Sequence, residues 1–135
     1  MNKKSVLQEV DTIINFTSVD ASPTFNACKD IIDKEAKSNC FRTQLYKQVS
    51  VQLAKHRLVA KNPVDEMIQL EVIINSKGEI AIKKIESSSL IRENIIGLDS
   101  ILNLSVKALP KIFPAIKRGI PVTTLYKLPI QIQVK

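Results

Sequence analysis

The stretch that decides the fold is EMIQLEVIINSKGEIAIKKIE, residues 66–86. Apolar and polar side chains alternate from Ile68 to Val72, a period of two that is typical of a strand with one buried face. The segment Asn75–Gly78 supplies a turn, because glycine adopts positive φ angles readily. The alternation resumes at Ile80 and is lost at Ile85, which indicates a β-bulge or the end of pairing. These residues therefore predict a β-hairpin.

A helix is predicted on each side of the hairpin. Between Cys40 and Val59, apolar side chains recur at four-residue steps with no glycine or proline, which is the pattern of an amphipathic helix. After the hairpin, residues 87–89 start a loop. A second helix is expected from Asp99, a good N-cap, to about Leu109, where Pro110 ends it.

A final strand is predicted from Gly119 to Val134. Proline cannot donate to a sheet ladder, so Pro129 restricts this strand to a sheet edge or to pairing on one side. We expect the outer edge of this strand to be uncovered, and two interpretations stay open. Either Lys127 and Pro129 guard the edge against association, or the edge accepts a peptide as an added strand.

These elements predict an α+β fold with a β-α-β-β-α-β order, in which two helices pack on one face of a small antiparallel sheet. The first strand is the least certain in type, because residues 1–20 fit either a strand or a short amphipathic helix. The predicted core consists of the apolar residues on the stripe of each element: Leu45, Val49, Leu53, Leu70, Val72, Ile80, Leu102, Val106, Ile130 and Ile132.

The composition fits one domain of ordinary globular type, with 135 residues and a hydrophobic fraction of 44%. No run of residues approaches the roughly 20 apolar residues that a membrane-spanning helix needs. The net charge is +7, and no Asp or Glu occurs after Asp99, whereas six Lys and Arg residues do. This asymmetry indicates either an acidic partner or simply solubility.

The sequence carries no recognisable catalytic signature: it has no nucleophile elbow, phosphate loop or paired carboxylates, and we predict no enzyme activity and no cofactor. One histidine, His56, and two cysteines are too few for a zinc site of four ligands, so no metal is expected. The two cysteines, Cys28 and Cys40, fit either a disulfide or two buried thiols.

An RNA-binding sheet needs aromatic side chains on its central strands, and none occurs between Leu58 and Lys111, so no nucleic-acid partner is expected.

Several segments together resemble the C-terminal domain of TonB, of the Bacteroidetes type. In the C-terminal half these are Leu98-Asp99, Ala108-Leu109-Pro110-Lys111 with Pro114, Arg118-Gly119-Ile120-Pro121-Val122, and Tyr126-Lys127-Leu128-Pro129-Ile130-Gln131-Ile132. Asn75-Ser76-Lys77-Gly78-Glu79-Ile80 resembles the hairpin of the family, and Phe25-Asn26-Ala27-Cys28 with Cys40 resembles its two-cysteine segment. The chain departs from the family pattern at Asn26-Ala27, Ile112 and Ala115, and its loop from Ser87 to Gly97 is longer than usual.

The resemblance implies that residues 16–135 form a TonB C-terminal-like domain, and that residues 1–15 are an N-terminal extension or an added segment. It implies a periplasmic domain that is anchored in the inner membrane in the full-length protein, with membrane contact only through an N-terminal anchor missing from this chain. Such a domain grips the TonB box of an outer-membrane transporter by strand addition, and an inner-membrane proton-channel complex supplies the force. The alternatives are a sensory or scaffold module with the same fold in an envelope membrane protein, and an unrelated cytosolic binding protein.

The resemblance also implies the site. The peptide-binding edge strand is expected at Val122, Thr123, Thr124, Leu125, Tyr126, Lys127 and Gln131. Lys117 and Arg118 are expected to attract an acidic peptide from the flank. Taken with their spacing, the periplasmic setting that the family implies predicts a disulfide between Cys28 and Cys40.

Overall fold

Residues 13–135 are described by the computed structural model, and within this range the chain forms three α-helices and seven β-strands. The predicted α+β class is confirmed. In chain order the elements are β1 (Ile13–Asn15), β2 (Thr24–Phe25), α1 (Lys34–Ala54), β3 (Val64–Ile74), β4 (Ile80–Glu86), α2 (Ser89–Asn94), α3 (Leu98–Lys107), β5 (Ile112–Phe113), β6 (Ala115–Lys117) and β7 (Ile120–Val134).

The main sheet has the strand order β1-β7-β3-β4. The pairs β3–β4 and β3–β7 are antiparallel, whereas β1 runs parallel to β7. Strand β6 pairs with the start of β7 as a hairpin, and β2 pairs with β5 in a separate two-stranded sheet. The last strand of the chain therefore lies inside the sheet along part of its length, between β1 and β3.

The predicted hairpin is confirmed as β3 and β4. Its turn depends on two residues: Gly78 has a φ of 82°, and the Asn75 side-chain oxygen accepts hydrogen bonds from the Lys77 and Glu79 amides, each at 2.9 Å. Of the two explanations for the lost alternation, the β-bulge is the one observed, because the register shifts and leaves Lys83 without a partner on β3, whereas pairing continues through Ile85 to Glu86. A bulge bends its strand and increases the local twist.

Helix α1 begins six residues before the predicted start, at Lys34, and ends at Ala54 rather than Val59. The earlier start has a local cause, because the Asp33 carboxylate accepts a hydrogen bond from the Ala36 amide at 2.8 Å and so caps the helix. The first turns carry no apolar stripe, which is why periodicity missed them. The buried stripe that begins at Phe41 and continues to Leu53 is the one that the sequence predicts.

The loop predicted after Ser87 contains a short helix, α2, whose N-cap is Ser88. The next helix, α3, starts at Leu98 with Gly97 at the N-cap position, so the prediction of Asp99 as N-cap is wrong by two residues. Gly97 has a φ of 74°, which lets the chain leave α2 and enter α3 in a tight turn. Asp99 instead lies in the first helical turn, with its carboxylate 3.5 Å from the Arg92 guanidinium.

The core lies between the sheet and the two longer helices. Helix α1 packs against β7, α3 packs against β4, and the two helices contact each other. Even-numbered residues of β3 and β7 such as Leu70 and Ile130 are fully buried beneath them. Nine of the ten predicted core residues are buried and Ile80 is half-buried, so the predicted strand faces are confirmed.

Cys28 and Cys40 lie at disulfide distance, with their Cα atoms 6.0 Å apart. The bond ties the segment before α1 to the first half of that helix. Beside it, the Phe25 ring stacks on Phe41 with ring centroids 5.2 Å apart. The segment from 16 to 33, which contains few aliphatic side chains, is therefore held by a covalent link and an aromatic contact.

Candidate functional site

Strand β4 forms one edge of the main sheet, and this edge is obstructed. The unpaired Lys83 kinks it, and Lys84 is exposed. The Arg92 guanidinium donates a hydrogen bond of 2.7 Å to the Ile85 carbonyl oxygen and another of 3.0 Å to the Ser87 hydroxyl. Bulges, lysines and covered backbone groups are the features that discourage strand addition at an edge.

The outer side of β7, away from β3, is the other edge, and it has two parts. Strand β1 covers Thr123–Leu125 with a parallel pairing of three residues. Beyond Leu125, no strand within residues 13–135 pairs with this side of β7, although β3 pairs with the opposite side as far as Val134. We call the part from Lys127 to Val134 the open edge.

Pro129 reveals which backbone groups point outward. The β3–β7 ladder runs without interruption through the pair Gln69 and Pro129, although proline has no amide hydrogen to contribute. Pro129 must therefore occupy a pair without its own hydrogen bonds, and its backbone faces away from β3. Because backbone direction alternates along a strand, Lys127, Gln131 and Gln133 also face outward. The open edge thus presents N–H and C=O groups with one missing donor.

Helix α1 runs beside this edge. Near its start, the Arg42 guanidinium lies 5.2 Å from the centre of the Phe16 ring, and that ring lies 4.9 Å from the ring of Tyr126 on β7. Burial raises the pKa of the Tyr126 phenol above its usual 10.0, while the charge of Arg42 and a hydrogen bond from it act in the opposite direction. This cluster closes the end of the open edge that adjoins β1.

At the other end, a groove of about 390 Å³ separates α1 from the open edge. Its apolar lining includes Leu53, Leu58 and Ile132, and Gln131 and Gln133 of β7 also line it. The lining contains no Asp or Glu side chain. The full lining is Ser50, Leu53, Ala54, His56, Leu58, Gln131, Ile132, Gln133, Val134 and Lys135.

The structure separates the predicted edge residues into three groups. Thr123, Thr124 and Leu125 already have β1 on their outer side, and Val122 pairs with Ala115 of β6. The expectation of an uncovered outer edge is therefore corrected for these residues, because a segment from the N-terminal region, assigned to the extension at residues 1–15, fills the position. Tyr126 lies in the aromatic cluster. Lys127 and Gln131 are the predicted residues that belong to the open edge.

Lys117 and Arg118, the predicted electrostatic flank, do not lie beside the groove. Lys117 donates to the Ser18 carbonyl oxygen at 2.8 Å, and the Arg118 amide donates to the Asp20 carboxylate at 2.7 Å. Both residues belong to the β6–β7 hairpin, and about 36 Å of extended strand separates Ile120 from the groove. The Lys127 ammonium is 3.9 Å from the Glu71 carboxylate, on the face of the sheet that the helices do not cover.

Sequence reasoning missed the groove residues of α1 and the segment that follows it. His56, which the sequence analysis considered only as a zinc ligand, lies half-buried after the end of α1 and lines the groove beside the sheet edge. The sequence signal that could have indicated the groove is Leu58, an apolar residue just beyond the apolar stripe of the helix. Lys55 and Arg57, on either side of His56, are exposed and add positive charge to this end of the domain.

A second groove, of about 520 Å³, lies between residues 61–66 and α2. Asn62 and Asn94 hold its walls together through two hydrogen bonds of 2.8 and 2.9 Å. One of its carboxylates, Glu66, already accepts a hydrogen bond from Ser88 at 3.0 Å. Val64, Asp65 and Glu66 of β3 also line this groove, and they pair with β7 on one side while β4 ends before it reaches them on the other, so the groove borders a short edge of β3.

Among residues 13–135, no cluster of three or more His, Cys, Asp or Glu side chains is arranged to hold a metal ion. In the same part of the chain, no helix combines the length and the apolar character that crossing a membrane requires. No family model, curated protein or solved structure matches the chain.

Proposed function

We propose that this chain is the periplasmic peptide-binding domain of a TonB-type energy transducer. In this proposal the open edge of β7 takes the TonB box of an outer-membrane transporter as an added strand and transmits force derived from the proton gradient. The inner-membrane anchor and the proton-channel complex belong to the full-length protein. The observation that carries the proposal is the contrast between the obstructed edge of β4 and the open edge of β7.

The number of outward-facing backbone groups limits how tightly an added strand can bind. Beside the groove, Gln131 and Gln133 each offer one donor and one acceptor, so the part of an added strand that lies there gains up to four hydrogen bonds. At about 1 kcal/mol each these amount to about 4 kcal/mol, which corresponds to a Kd of about 1 mM before the ordering cost of the peptide is included. Backbone pairing alone is therefore weak, and a useful affinity requires a side chain in the groove.

The groove is suited to such a side chain. In an added strand, alternate side chains point to the same face of the sheet as Ile132, and that face is the one that α1 covers. One apolar side chain of the peptide would contact Leu53 and Leu58. Acidic residues on either side of it would lie near Lys135 and the cations around His56, where the attraction falls with ionic strength.

The test is an NMR titration of the domain with a peptide from the N-terminal segment of a TonB-dependent transporter of the same organism. We expect the largest amide shifts at Gln131 and Gln133 and in the groove segment 50–58. If the largest shifts fall on β4 and α2 instead, the proposed edge is wrong. If no transporter peptide binds at millimolar concentration, the proposed function itself fails.

Two matched variants locate the site. Ala54→Trp fills the groove from an exposed position, so we expect it to weaken peptide binding by at least about ten-fold, which corresponds to 1.4 kcal/mol. Val51→Trp adds the same side chain one turn away, at a position that is exposed and does not line the groove. We expect this control to bind the peptide as the wild type does, and equal losses in both variants would contradict the groove assignment.

A further inference from the structure

A second edge of the main sheet lies on β3, beside the groove between residues 61–66 and α2. Strand β3 pairs with β7 from Val64 to Ile74, whereas its pairing with β4 begins only at Gln69. Within residues 13–135, no strand therefore pairs with Val64–Ile68 on the side away from β7. We call this part of β3, about 13 Å of extended chain, the short edge.

The backbone alternation that turns Pro129 outward on β7 also identifies the groups that the short edge presents. Gln69 and Pro129 form a pair without its own hydrogen bonds, so the backbone of Gln69 faces β4. Met67 and Asp65, two and four residues earlier, face the same side, where β4 no longer reaches them. The short edge thus offers two N–H donors and two C=O acceptors to an added strand.

The side chains beside the short edge suit an extended ligand. Leu90 of α2 lines the groove and is 73% exposed, and Met67, on the face of β3 away from the helices, is 55% exposed. Successive side chains of an added strand point to opposite faces of the sheet. One of them can therefore contact Leu90, while the next lies beside Met67 and Asp65.

The short edge is acidic, although the chain as a whole carries a net charge of +7. Three carboxylates and one cation line its groove: Asp65, Glu66, Glu93 and Lys61. Asp65 accepts a hydrogen bond from the Gln131 side chain, and Glu66 accepts one from Ser88, but both donors are uncharged and leave the negative charges in place. The groove beside the open edge of β7 is lined by no Asp or Glu, so the two edges differ in charge.

We propose that the short edge binds a basic, extended segment of a partner protein as an added strand. An apolar side chain of that segment packs against Leu90, and Lys or Arg side chains on either side of it lie near the carboxylates. The charge of the groove disfavours an acidic peptide of the kind assigned to the open edge of β7. Because β3 and β7 lie between the two edges, both can be occupied at the same time. This inference goes beyond the proposed function and does not depend on it.

The test is an NMR titration of the full chain with the peptide KVKVK, capped at both ends, and with its charge-reversed counterpart EVEVE. We expect KVKVK to shift the amides of Asp65 and Met67 and those of α2, and EVEVE to leave them unchanged. Shifts of equal size with EVEVE, or KVKVK shifts confined to other parts of the chain, would overturn the inference.

Hydrogen exchange in the wild type decides whether the peptide adds as a strand. At a KVKVK concentration ten times its Kd, the outward amides of Asp65 and Met67 should exchange about ten-fold more slowly, because the bound strand accepts their hydrogen bonds. Binding without this protection would show contact with the surface alone and would contradict strand addition.

Two pairs of variants at exposed positions locate the site. Glu93→Lys should weaken KVKVK binding about five-fold, whereas Asp30→Lys, the same change outside the groove, should leave it unchanged. Leu90→Ala should weaken it about three-fold, and Ile96→Ala, at a position 72% exposed that does not line the groove, should have no effect.

Equal losses within either pair of variants would refute the assignment of the groove. The remaining outcome concerns a second copy of the chain. If the Asp65 and Met67 amides shift when the domain alone is concentrated, its own basic surface is the occupant and the proposal of a separate partner fails. None of these measurements involves a transporter peptide, so they leave the test of the open edge of β7 independent.

Discussion

Removing the link between Cys28 and Cys40 should be the most informative perturbation of stability. The two residues are 12 positions apart in sequence. Constraining a loop of this size in the unfolded chain stabilises the fold by about 3 kcal/mol on the chain-entropy model. That is a large fraction of the 5–15 kcal/mol expected for the whole domain, and it corresponds to a fall in Tm of about 10 °C.

The assay is urea unfolding of the oxidised protein, the reduced protein and the double variant Cys28→Ala with Cys40→Ala. We expect the reduced and doubly substituted proteins to lose about the same free energy of unfolding, and the slope m to rise because the released chain exposes more surface on unfolding. The double variant is its own control, since reductant should not affect it.

Removing the link should loosen one segment in particular, which distinguishes its loss from a general loss of packing. Cys28 is fully buried and adjoins the contact between Phe25 and Phe41, so its release should loosen the segment before α1 more than the sheet. Hydrogen exchange should accelerate there first. A reduced protein within about 1 kcal/mol of the oxidised one would refute the reasoning, because the model assigns about 3 kcal/mol to a loop of this size.

Three further predictions concern single positions. Val72→Asp should destabilise the domain by about 4 kcal/mol or more in urea unfolding, because it places an unpaired charge at a fully buried site. The raised pKa of Tyr126 means that the unfolded chain ionises first as pH rises past 10.0, so stability should fall in that range and the fall should be smaller in Tyr126→Phe. Gly78→Ala should cost more than the ~1 kcal/mol expected for a left-handed residue, because a Cβ there would overlap the Ile112 carbonyl oxygen.

Matched positions provide the controls. Met67→Asp introduces the same charge on the exposed face of β3 and should be tolerated, so equal damage at both positions would show that the burial assignment is wrong. Gly97→Ala carries the same left-handed penalty with no atom nearby, and it should cost less than Gly78→Ala. Identical alkaline unfolding of the wild type and Tyr126→Phe would contradict the role assigned to burial of the phenol.

The sequence determined the central fold because its signals are local. Alternation along Ile68–Val72, the turn at Asn75–Gly78 and the apolar stripe that ends at Leu53 each depend on residues a few positions apart, and each is confirmed. Pro129 also predicted that β7 is an edge strand or pairs on one side there, since a proline lacks the amide hydrogen that pairing on the second side requires. Weak signals failed for the same reason: the polar first turns of α1 carry no stripe, and the cap at Asp33 was overlooked.

Only the tertiary structure decided which part of that edge is available. The pairing of Ile13–Asn15 with Thr123–Leu125 joins segments more than a hundred residues apart, and three residues of ambiguous pattern cannot specify it in advance. The groove likewise depends on where the end of α1 lies against Gln131 and Gln133, and on Leu58, which belongs to no regular element. Local chemistry fixes which residues can form a strand, but the order of strands in space fixes which of its two sides remains open to a partner.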